Sequence, residues 1–374
     1  MEPRLRGRAA SAAKQTIRRL PATGPVKPCV TVVVPAYNYG RFLPECASSA
    51  LTQEGVEVRV IIVDDCSTDD TALVTAELTA LDSRVSVIRH DQNRGHIPSV
   101  NDGLERVETE YLVKLDADDL LAPGSLARST ALLEAHPNVG FVYGRPAHFS
   151  GAVPKARRAR TRSWSIWPGR EWVAARCRQG DNVISQPEVV MRTDRLRRLG
   201  SVCAELPHTS DLHQWLRLAS IGDVGRINGP VQAYYRVHDQ SMQRTVHSGE
   251  LLRFRGRRAA FEAAFEAEAG ALEGAEELRE MFKRSLAEGA LECACHRYDR
   301  GRTEAGGNST DEIVAFALDI WPAARRLPDW RALEDRRAVG VERAPRHPRF
   351  VADALGRRAL MEMRRWRWRQ TGEL

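Results

Sequence analysis

Short apolar runs alternate with segments of helical spacing between residues 30 and 143, and this alternation constrains the fold most. The apolar runs lie at 30–34, 58–63, 85–88, 111–115 and 139–143. The helical segments between them lie at about 41–52, 70–81, 97–107 and 124–135. Strands that alternate with helices at this spacing form right-handed βαβ units and a mostly parallel sheet. The sequence therefore predicts an α/β, doubly wound fold.

The aspartates after two of these runs are candidates for a functional site. Asp64 and Asp65 follow the second run, and Asp116 and Asp118 follow the fourth. Ligands of such sheets bind beyond the carboxyl ends of the strands. Two carboxylates spaced two residues apart can converge on one Mg²⁺ or Mn²⁺. Single aspartates at such positions also cap helices and solvate loops, but two clusters after two strands favour a cation site.

Two common nucleotide-binding patterns are absent from the sequence. The first strand is not followed by Gly-x-Gly-x-x-Gly, and the chain has no Gly-x-x-x-x-Gly-Lys-Ser/Thr. We therefore expect neither the usual dinucleotide-binding fold nor a P-loop nucleoside triphosphatase. The strand instead opens into a loop in which Tyr37 offers a face on which a base can stack.

Positive charge is concentrated in the two ends of the chain. Residues 1–28 carry a formal charge of +6 and residues 341–374 one of +5, while the whole chain carries +7. The body between them is therefore mildly acidic, which argues against a nucleic-acid partner. No apolar run approaches the roughly 20 residues that span a bilayer, and no apolar segment follows the basic N-terminus. Seven irregularly spaced cysteines fit a reducing compartment, so we expect a cytoplasmic location.

Four motifs in series resemble the family-2 inverting glycosyltransferases of GT-A fold. They are V-V-V-P-A-Y-N-Y-G-R-F-L (32–43), I-I-V-D-D-C-S-T-D-D-T (61–71), N-R-G (93–95) and L-D-A-D-D (115–119). Two later segments are also similar to the family's: T-S-D-L-H-Q-W-L-R-L-A (209–219) and Y-Y-R-V-H-D-Q-S-M (234–242). The resemblance covers about residues 30–240, and it departs from the family's pattern at 96–102.

The resemblance implies a role for each matched residue. The residues that would hold the nucleotide sugar are Pro35, Ala36, Tyr37, Asp64, Asp65, Arg94 and Asp116. Those that would bind Mg²⁺ or Mn²⁺ are Asp116, Asp118 and His238. Asp211 would be the catalytic general base, which takes the proton from the acceptor hydroxyl.

The resemblance implies a metal-dependent transfer of one sugar from a nucleotide sugar, UDP-linked by preference, with inversion. The acceptor would be a glycan, a lipid-linked glycan or a small molecule. One alternative is a sugar-1-phosphate nucleotidyltransferase, although residues 35–40 are not the Gly-rich basic loop that such enzymes need. The other is a non-catalytic GT-A-like scaffold that docks on a membrane through its basic tails.

The pattern along the chain divides it into four parts. Residues 1–28 are predicted to form a flexible basic arm, 29–245 the GT-A domain, 250–340 a helical appendage and 341–374 a basic Arg/Trp tail. The basic loop 155–162 is more simply interpreted as a solvated loop than as a contact for an anionic acceptor or a phospholipid surface. The tail segment 360–369 suits an interfacial helix on anionic lipid, but an Arg-rich tail that packs on the body or stays free is the alternative. Peripheral attachment to the inner membrane surface is therefore one of the open alternatives.

Overall fold

The computed structural model describes residues 13–20, 26–154, 160–238, 249–305 and 307–371. The strands are β1 (Gln15–Ile17), β2 (Cys29–Ala36), β3 (Glu57–Asp64), β4 (Val85–Arg89), β5 (Tyr111–Lys114), β6 (Leu120–Leu121), β7 (Val139–Tyr143), β8 (Pro146–Phe149), β9 (Ser163–Trp167), β10 (Val190–Arg192), β11 (Asp223–Asn228), β12 (Ala233–Arg236), β13 (Glu304–Ala305) and β14 (Asn308–Ser309). All five strands expected between residues 30 and 143 are present, within two residues of their predicted ends.

The central sheet has nine strands within the described residues, in the order β1-β9-β11-β7-β10-β5-β2-β3-β4. Strands β2, β3, β4 and β5 pair in parallel, and β7 and β11 also pair in parallel. Only β9 and β10 run against the remaining strands of this sheet. The expectation of a mostly parallel sheet is confirmed. Strands β6, β12 and β8 form a small second sheet in that order.

Twelve helices lie in the described ranges. They are α1 (Leu43–Leu51), α2 (Thr71–Leu81), α3 (His96–Glu105), α4 (Ser125–Ala135), α5 (Gly169–Gln179), α6 (Thr193–Leu199), α7 (Ser210–Ser220), α8 (Glu250–Glu266), α9 (Ala275–Asp299), α10 (Thr310–Ile320), α11 (Pro328–Val339) and α12 (Pro348–Thr371). The doubly wound architecture is confirmed, because helices cover both faces of the sheet.

Strand β2 shows how the sequence produces this layering. Its residues are buried on both faces, as a near-continuous β-branched run requires. Val32 and Val34 belong to the core beneath α1 and α4, whereas Val33 belongs to the core on the opposite face. Successive side chains of a strand point to opposite faces, so one short run supplies both cores.

The helical appendage shares its core with the sheet. Phe261 of α8 stacks on Phe282 of α9, with ring centroids 4.3 Å apart. Both rings belong to the same cluster of buried side chains as Val33 of β2 and Phe141 of β7. The appendage thus packs continuously on the sheet through α5 and α7. The boundaries 29–245 and 250–340 remain predictions.

The N-terminal segment departs from the expectation of a flexible arm. That expectation is wrong for Gln15–Ile17, which form the edge strand β1 and pair with β9. Pairing with β9 satisfies the backbone groups on one side of β1, and Ile17 and Leu20 pack on the core. The surrounding Pro, Gly, Ala and Arg residues obscured these two apolar side chains in the sequence. Residues 1–12 and 21–25 of the predicted arm lie outside the described residues.

The predicted C-terminal tail contains the long helix α12. Phe350, near its start, is 2% exposed, and Arg357 forms an ion pair with Asp299 of α9 at 2.6 Å. Within the described ranges, no helix combines the length and the apolar character that crossing a bilayer requires. Most of the predicted basic loop, 155–159, and residues 239–242 of the last motif lie outside those ranges.

Helix α3 approaches the sheet so closely that a glycine is required at the contact. A Cβ on Gly103 would lie 2.5 Å from Val33 Cγ1 and 3.0 Å from Val63 Cγ2. We predict that Gly103→Ala lowers the free energy of unfolding by about 1–3 kcal/mol, the usual cost of overpacking a core. Denaturant titration measures the change.

Gly356 of α12 provides the matched control, because a Cβ there meets nothing within 4 Å. Gly356→Ala should leave stability unchanged or raise it by about 0.5–1 kcal/mol. Equal effects of the two substitutions would contradict the close approach of α3 to the sheet.

Candidate functional site

The aspartates singled out in the sequence meet at one edge of the central sheet. Strands β2, β3 and β5 are parallel neighbours, with Ala36 opposite Asp64 and Val33 opposite Lys114. Their carboxyl ends therefore lie side by side, and the loops that carry the candidate residues begin there.

The loops after β2 and β3 are joined by hydrogen bonds. Asn38 Oδ1 accepts from the backbone N–H of Thr68 at 2.8 Å, and the N–H of Asn38 donates to Ser67 Oγ at 2.9 Å. Asn38 and Cys66 both have a φ of 59°, a left-handed conformation that non-glycine residues rarely adopt. Pro35 and Ala36 are buried in β2, whereas Tyr37 is 44% exposed. The side chain of Tyr37 is thus accessible to a ligand.

Asp64 and Asp65 have different surroundings. Asp64 is completely buried, and its Oδ1 accepts from the N–H of Ser67 at 3.0 Å, which fixes the loop after β3. Asp65 accepts from His90 Nδ1 at 2.8 Å and from the backbone N–H groups of Arg94 and Gly95 at 2.8 and 2.7 Å. Asp65 is also buried, at 3% exposed, and these three hydrogen bonds fill all but about one of the four acceptor positions that a carboxylate offers.

This network sets the charge of Asp65 and positions Arg94. Burial opposes ionisation of Asp65, but the hydrogen bonds from Arg94 N–H, His90 and Gly95 N–H lower its pKa below the ordinary value. Asp102 of α3 accepts from the Arg94 guanidinium and lies 2.9 Å from His90 Nε2. The ionised Asp65 therefore holds the Asn93-Arg94-Gly95 turn at the edge of the site.

The turn after β5 presents three carboxylates. The N–H of Asp119 donates to the carbonyl of Asp116 at 2.9 Å, which closes the turn. Asp118 Oδ2 lies 2.8 Å from His238 Nε2, and Asp119 Oδ1 accepts from the N–H of Arg236 at 2.8 Å. Burial and the neighbouring charge of Asp116 raise the pKa of Asp118, although the hydrogen bond from His238 opposes this shift.

Arg236 holds this turn and was not identified from the sequence. Its Nε donates to the carbonyl of Asp118 at 2.8 Å, and its Nη2 donates to Glu45 of α1 at 2.7 Å. The guanidinium lies between the rings of Phe42 and Phe149, 4.8 and 4.6 Å from their centroids. Arg236 lies inside the Y-Y-R-V-H motif, and this position could have marked it as a site residue.

Asp211 lies in the first turn of α7 and faces the same site. Its Oδ1 accepts from the N–H of Leu212 at 2.7 Å, and its Oδ2 accepts from Asn182 Nδ2 at 2.9 Å. Burial raises the pKa of Asp211 above its ordinary value, while the charge of Lys114 opposes the shift. The raised pKa makes the carboxylate a stronger base than an exposed aspartate.

Lys114 links the two halves of the site. It is 4% exposed at the end of β5, and burial lowers its pKa while the charges of Asp116 and Asp211 oppose the shift. A buried ammonium is stable only beside anions, so Lys114 offsets part of the cost of burying these carboxylates. Its place in an otherwise apolar strand could have marked Lys114 as a site residue, but it was not identified from the sequence.

His96, in the first turn of α3, is the third site residue that was not identified from the sequence. Its Nε2 lies 4.0 Å from Asp116 Oδ1. Burial lowers the pKa of His96, while the charge of Asp116 opposes this shift. The residue belongs to the segment 96–102, where the chain departs from the pattern of the family it resembles.

The donor set suits a hard divalent cation. Asp116 Oδ1 is buried and has no hydrogen-bond partner within the described structure, so this oxygen is available to a cation. Mg²⁺ and Mn²⁺ are commonly held by one or two carboxylates together with substrate phosphates. Within the described ranges, no group of three or more His, Cys, Asp or Glu side chains is placed so that it could hold a metal ion. The residues present therefore fit a cation only where a phosphorylated ligand supplies further oxygens beside one or two carboxylates.

The structure brings most of the predicted site residues together. Asp116, Asp118 and His238 form one group, Asp65 and Arg94 form a second, and Asp211 joins the first through the charge of Lys114. Tyr37 lies at the rim, and Asp64 lies beneath the loop. Their roles toward a ligand remain predictions.

One comparison with known proteins covers the part of the chain that carries Asp65, Arg94, Asp116 and Asp118, but not Asp211 or His238. The family model described as Glycosyl transferase family 2 matches residues 31–192. The succinoglycan biosynthesis protein ExoO of Rhizobium meliloti (strain 1021) is 42% identical over 101 residues, which are 27% of this chain and 28% of that protein. The putative teichuronic acid biosynthesis glycosyltransferase TuaG of Bacillus subtilis (strain 168) is 37% identical over 93 residues, which are 25% of this chain and 37% of that protein. The matches thus span about a third of these relatives.

Solved structures share the fold over a longer stretch. The crystal structure of residues 1–349 of S. aureus TarS in complex with UDP aligns with a TM-score of 0.55 at 17% identity. The alignment covers 84% of this chain and 89% of that one, and the same fragment has been solved with UDP-GlcNAc. Together with the family match, this shows that residues 31–192 belong to glycosyl transferase family 2 and that the fold is of GT-A type.

Proposed function

We propose that this chain is a metal-dependent inverting glycosyltransferase that moves one sugar from a nucleotide sugar to an acceptor hydroxyl. One observation carries the proposal: Asp116, Asp118 and Asp211 lie at the carboxyl edge of the sheet, where the charges of Asp116 and Asp211 both act on the buried ammonium of Lys114. Transfer of a sugar needs a site that accepts a departing diphosphate and a base that accepts a proton, and this edge offers both.

The donor is proposed to bind across the loops after β2, β3 and β5. Tyr37 would stack on the base beside Pro35 and Ala36, and the open acceptor position of Asp65 would meet the base or the ribose. Asp64 would act through the loop that it holds, because its side chain is fully buried. Arg94, held by Asp102, would lie near the diphosphate. A uridine donor is favoured because TarS, which shares the fold, has been solved with UDP and UDP-GlcNAc.

Asp116 and Asp118 are proposed to hold Mg²⁺ or Mn²⁺ together with the diphosphate. The cation would supply positive charge to the departing nucleoside diphosphate. We propose that His238 acts at this cation together with Asp118, since its Nε2 lies 2.8 Å from Asp118 Oδ2.

Asp211 is proposed to take the proton from the acceptor hydroxyl as that oxygen attacks the anomeric carbon. Asn182 and the N–H of Leu212 fix the carboxylate, so the base is oriented before the acceptor arrives. A single displacement inverts the configuration and needs no covalent intermediate. The acceptor is proposed to be a glycan, a lipid-linked glycan or a small molecule. The polysaccharide pathways named for ExoO and TuaG favour a glycan.

The donor site predicts metal-dependent nucleotide binding. In calorimetry with UDP and Mn²⁺, Asp116→Asn/Asp118→Asn should weaken binding by about 100-fold or more, because the cation contributes several kcal/mol. Asp91→Asn is the matched control, since this exposed carboxylate lies beyond the end of β4, the edge strand beside β3. If UDP, GDP and dTDP all failed to bind the folded wild-type chain, a non-catalytic scaffold would replace the enzyme as the preferred function.

The base assignment predicts a selective loss of chemistry. Asp211→Asn should lower the rate of sugar transfer by about 10²–10⁴-fold, the usual contribution of a general base, and should leave UDP binding unchanged. Asp181→Asn is the control, because Asp181 is a nearby exposed carboxylate that pairs with Arg257. A rate within twofold of wild type for Asp211→Asn would show that another group is the base.

The surroundings of Asp211 also predict how the rate depends on pH. A general base must be ionised, so the rate should fall when the pH drops through the pKa of Asp211. Burial raises that pKa above the ordinary value of 3.8, so the acid limb of the profile of kcat/KM should lie above pH 3.8. A profile that stays flat down to pH 4, for the folded enzyme, would contradict the assignment.

A further inference from the structure

Three basic segments that are distant in sequence meet at one edge of the central sheet. Ile17 of β1 lies opposite Trp164 of β9, and Ser163 lies opposite Asn228 of β11. Arg18 and Arg19 follow β1, and Arg160 and Arg162 precede β9, so this antiparallel pairing brings the four arginines to one corner. All four are exposed, and segments 13–20 and 160–167 contain no acid.

The C-terminal helix α12 reaches the same edge. The Nη2 of Arg226 in β11 donates to the carbonyl of Trp368 at 2.8 Å, and its guanidinium lies 5.1 Å from the centroid of the Trp368 ring. At the other end, Phe350 is buried and Arg357 pairs with Asp299. The helix is therefore attached near both of its ends.

Between these attachments the helix is open to solvent on all sides. Every residue from 358 to 367 is exposed, including Met363 at 60% and Trp366 at 64%. The segment has four arginines and one glutamate, a formal charge of +3. Leu360, Met363 and Trp366 recur at intervals of three residues, so they lie along one side of the helix. Exposed apolar side chains beside arginines are unusual for a surface that contacts only water.

We propose that this surface, formed by α12 residues 358–367 and the corner arginines 18, 19, 160 and 162, docks on an anionic phospholipid bilayer. The arginines complement acidic headgroups, and Leu360, Met363 and Trp366 enter the boundary between headgroups and acyl chains. A soluble polyanion would neutralise the arginines but would leave these apolar side chains in water. The inference does not depend on the proposed transferase activity.

Co-sedimentation of the full chain with vesicles tests the proposal. Wild type should bind vesicles that contain 30% phosphatidylglycerol in phosphatidylcholine far more tightly than pure phosphatidylcholine vesicles. Arg364→Gln/Arg365→Gln should weaken binding by about 5-fold for each charge removed. Met363→Ser/Trp366→Ser should weaken it as well, because the apolar contact is lost. The substituted side chains are exposed, so thermal unfolding should match wild type.

The control is Arg326→Gln/Arg331→Gln, which removes two exposed arginines from the helical appendage. It should bind vesicles as wild type does. Failure of wild type to bind the anionic vesicles would overturn the proposal, and so would equal weakening by the control. Loss of binding in the arginine variant with full binding of Met363→Ser/Trp366→Ser would overturn it too, in favour of a purely ionic contact with a polyanion.

Discussion

The burial of several carboxylates at one edge of a parallel sheet is the constraint on which this structure depends. An ionised carboxylate that leaves water needs hydrogen bonds or a nearby cation. Asp65 receives three hydrogen bonds, Asp211 is held by Asn182 and by the N–H of Leu212, and Lys114 places a buried ammonium near Asp116 and Asp211. Buried carboxylate oxygens without a hydrogen-bond partner remain within the described residues on Asp64, Asp116 and Asp119, and that of Asp116 is the one that a cation would complete.

Mainly non-acidic residues hold this edge in place through hydrogen bonds and close packing. The paired loops after β2 and β3 are fixed through Asn38, and the turn after β5 is fixed through Arg236. Gly103 lets α3 lie directly on β2 and β3, which places His96 near Asp116. The helical appendage packs on the opposite part of the same core and supports α7, the helix that carries Asp211. A site of this kind is organised before a ligand binds, which lowers the energy of reorganisation during a reaction.

The sequence was sufficient to predict the strands and helices whose apolar residues follow a local pattern. Strands β2, β3, β4, β5 and β7 were evident from β-branched runs, and Asp116 and Asp118 from their place after such a run. Lys114 and Arg236 were not found, because their roles depend on partners brought near by tertiary packing. The edge strand Gln15–Ile17 was also missed, because three residues within a Pro- and Arg-rich segment carry little periodicity. Pairing with β9, distant in sequence, is what orders them.

The central claim is that one edge of the sheet holds the cation, the diphosphate and the base together. A crystal structure of the chain soaked with UDP and Mn²⁺, with anomalous scattering recorded for manganese, tests this claim most directly. The account predicts a manganese peak bonded to a carboxylate oxygen of Asp116 or Asp118 and to the diphosphate, with uracil beside Tyr37 and Asp211 facing the open side of the diphosphate. A bound nucleotide whose manganese lies away from both aspartates would contradict it.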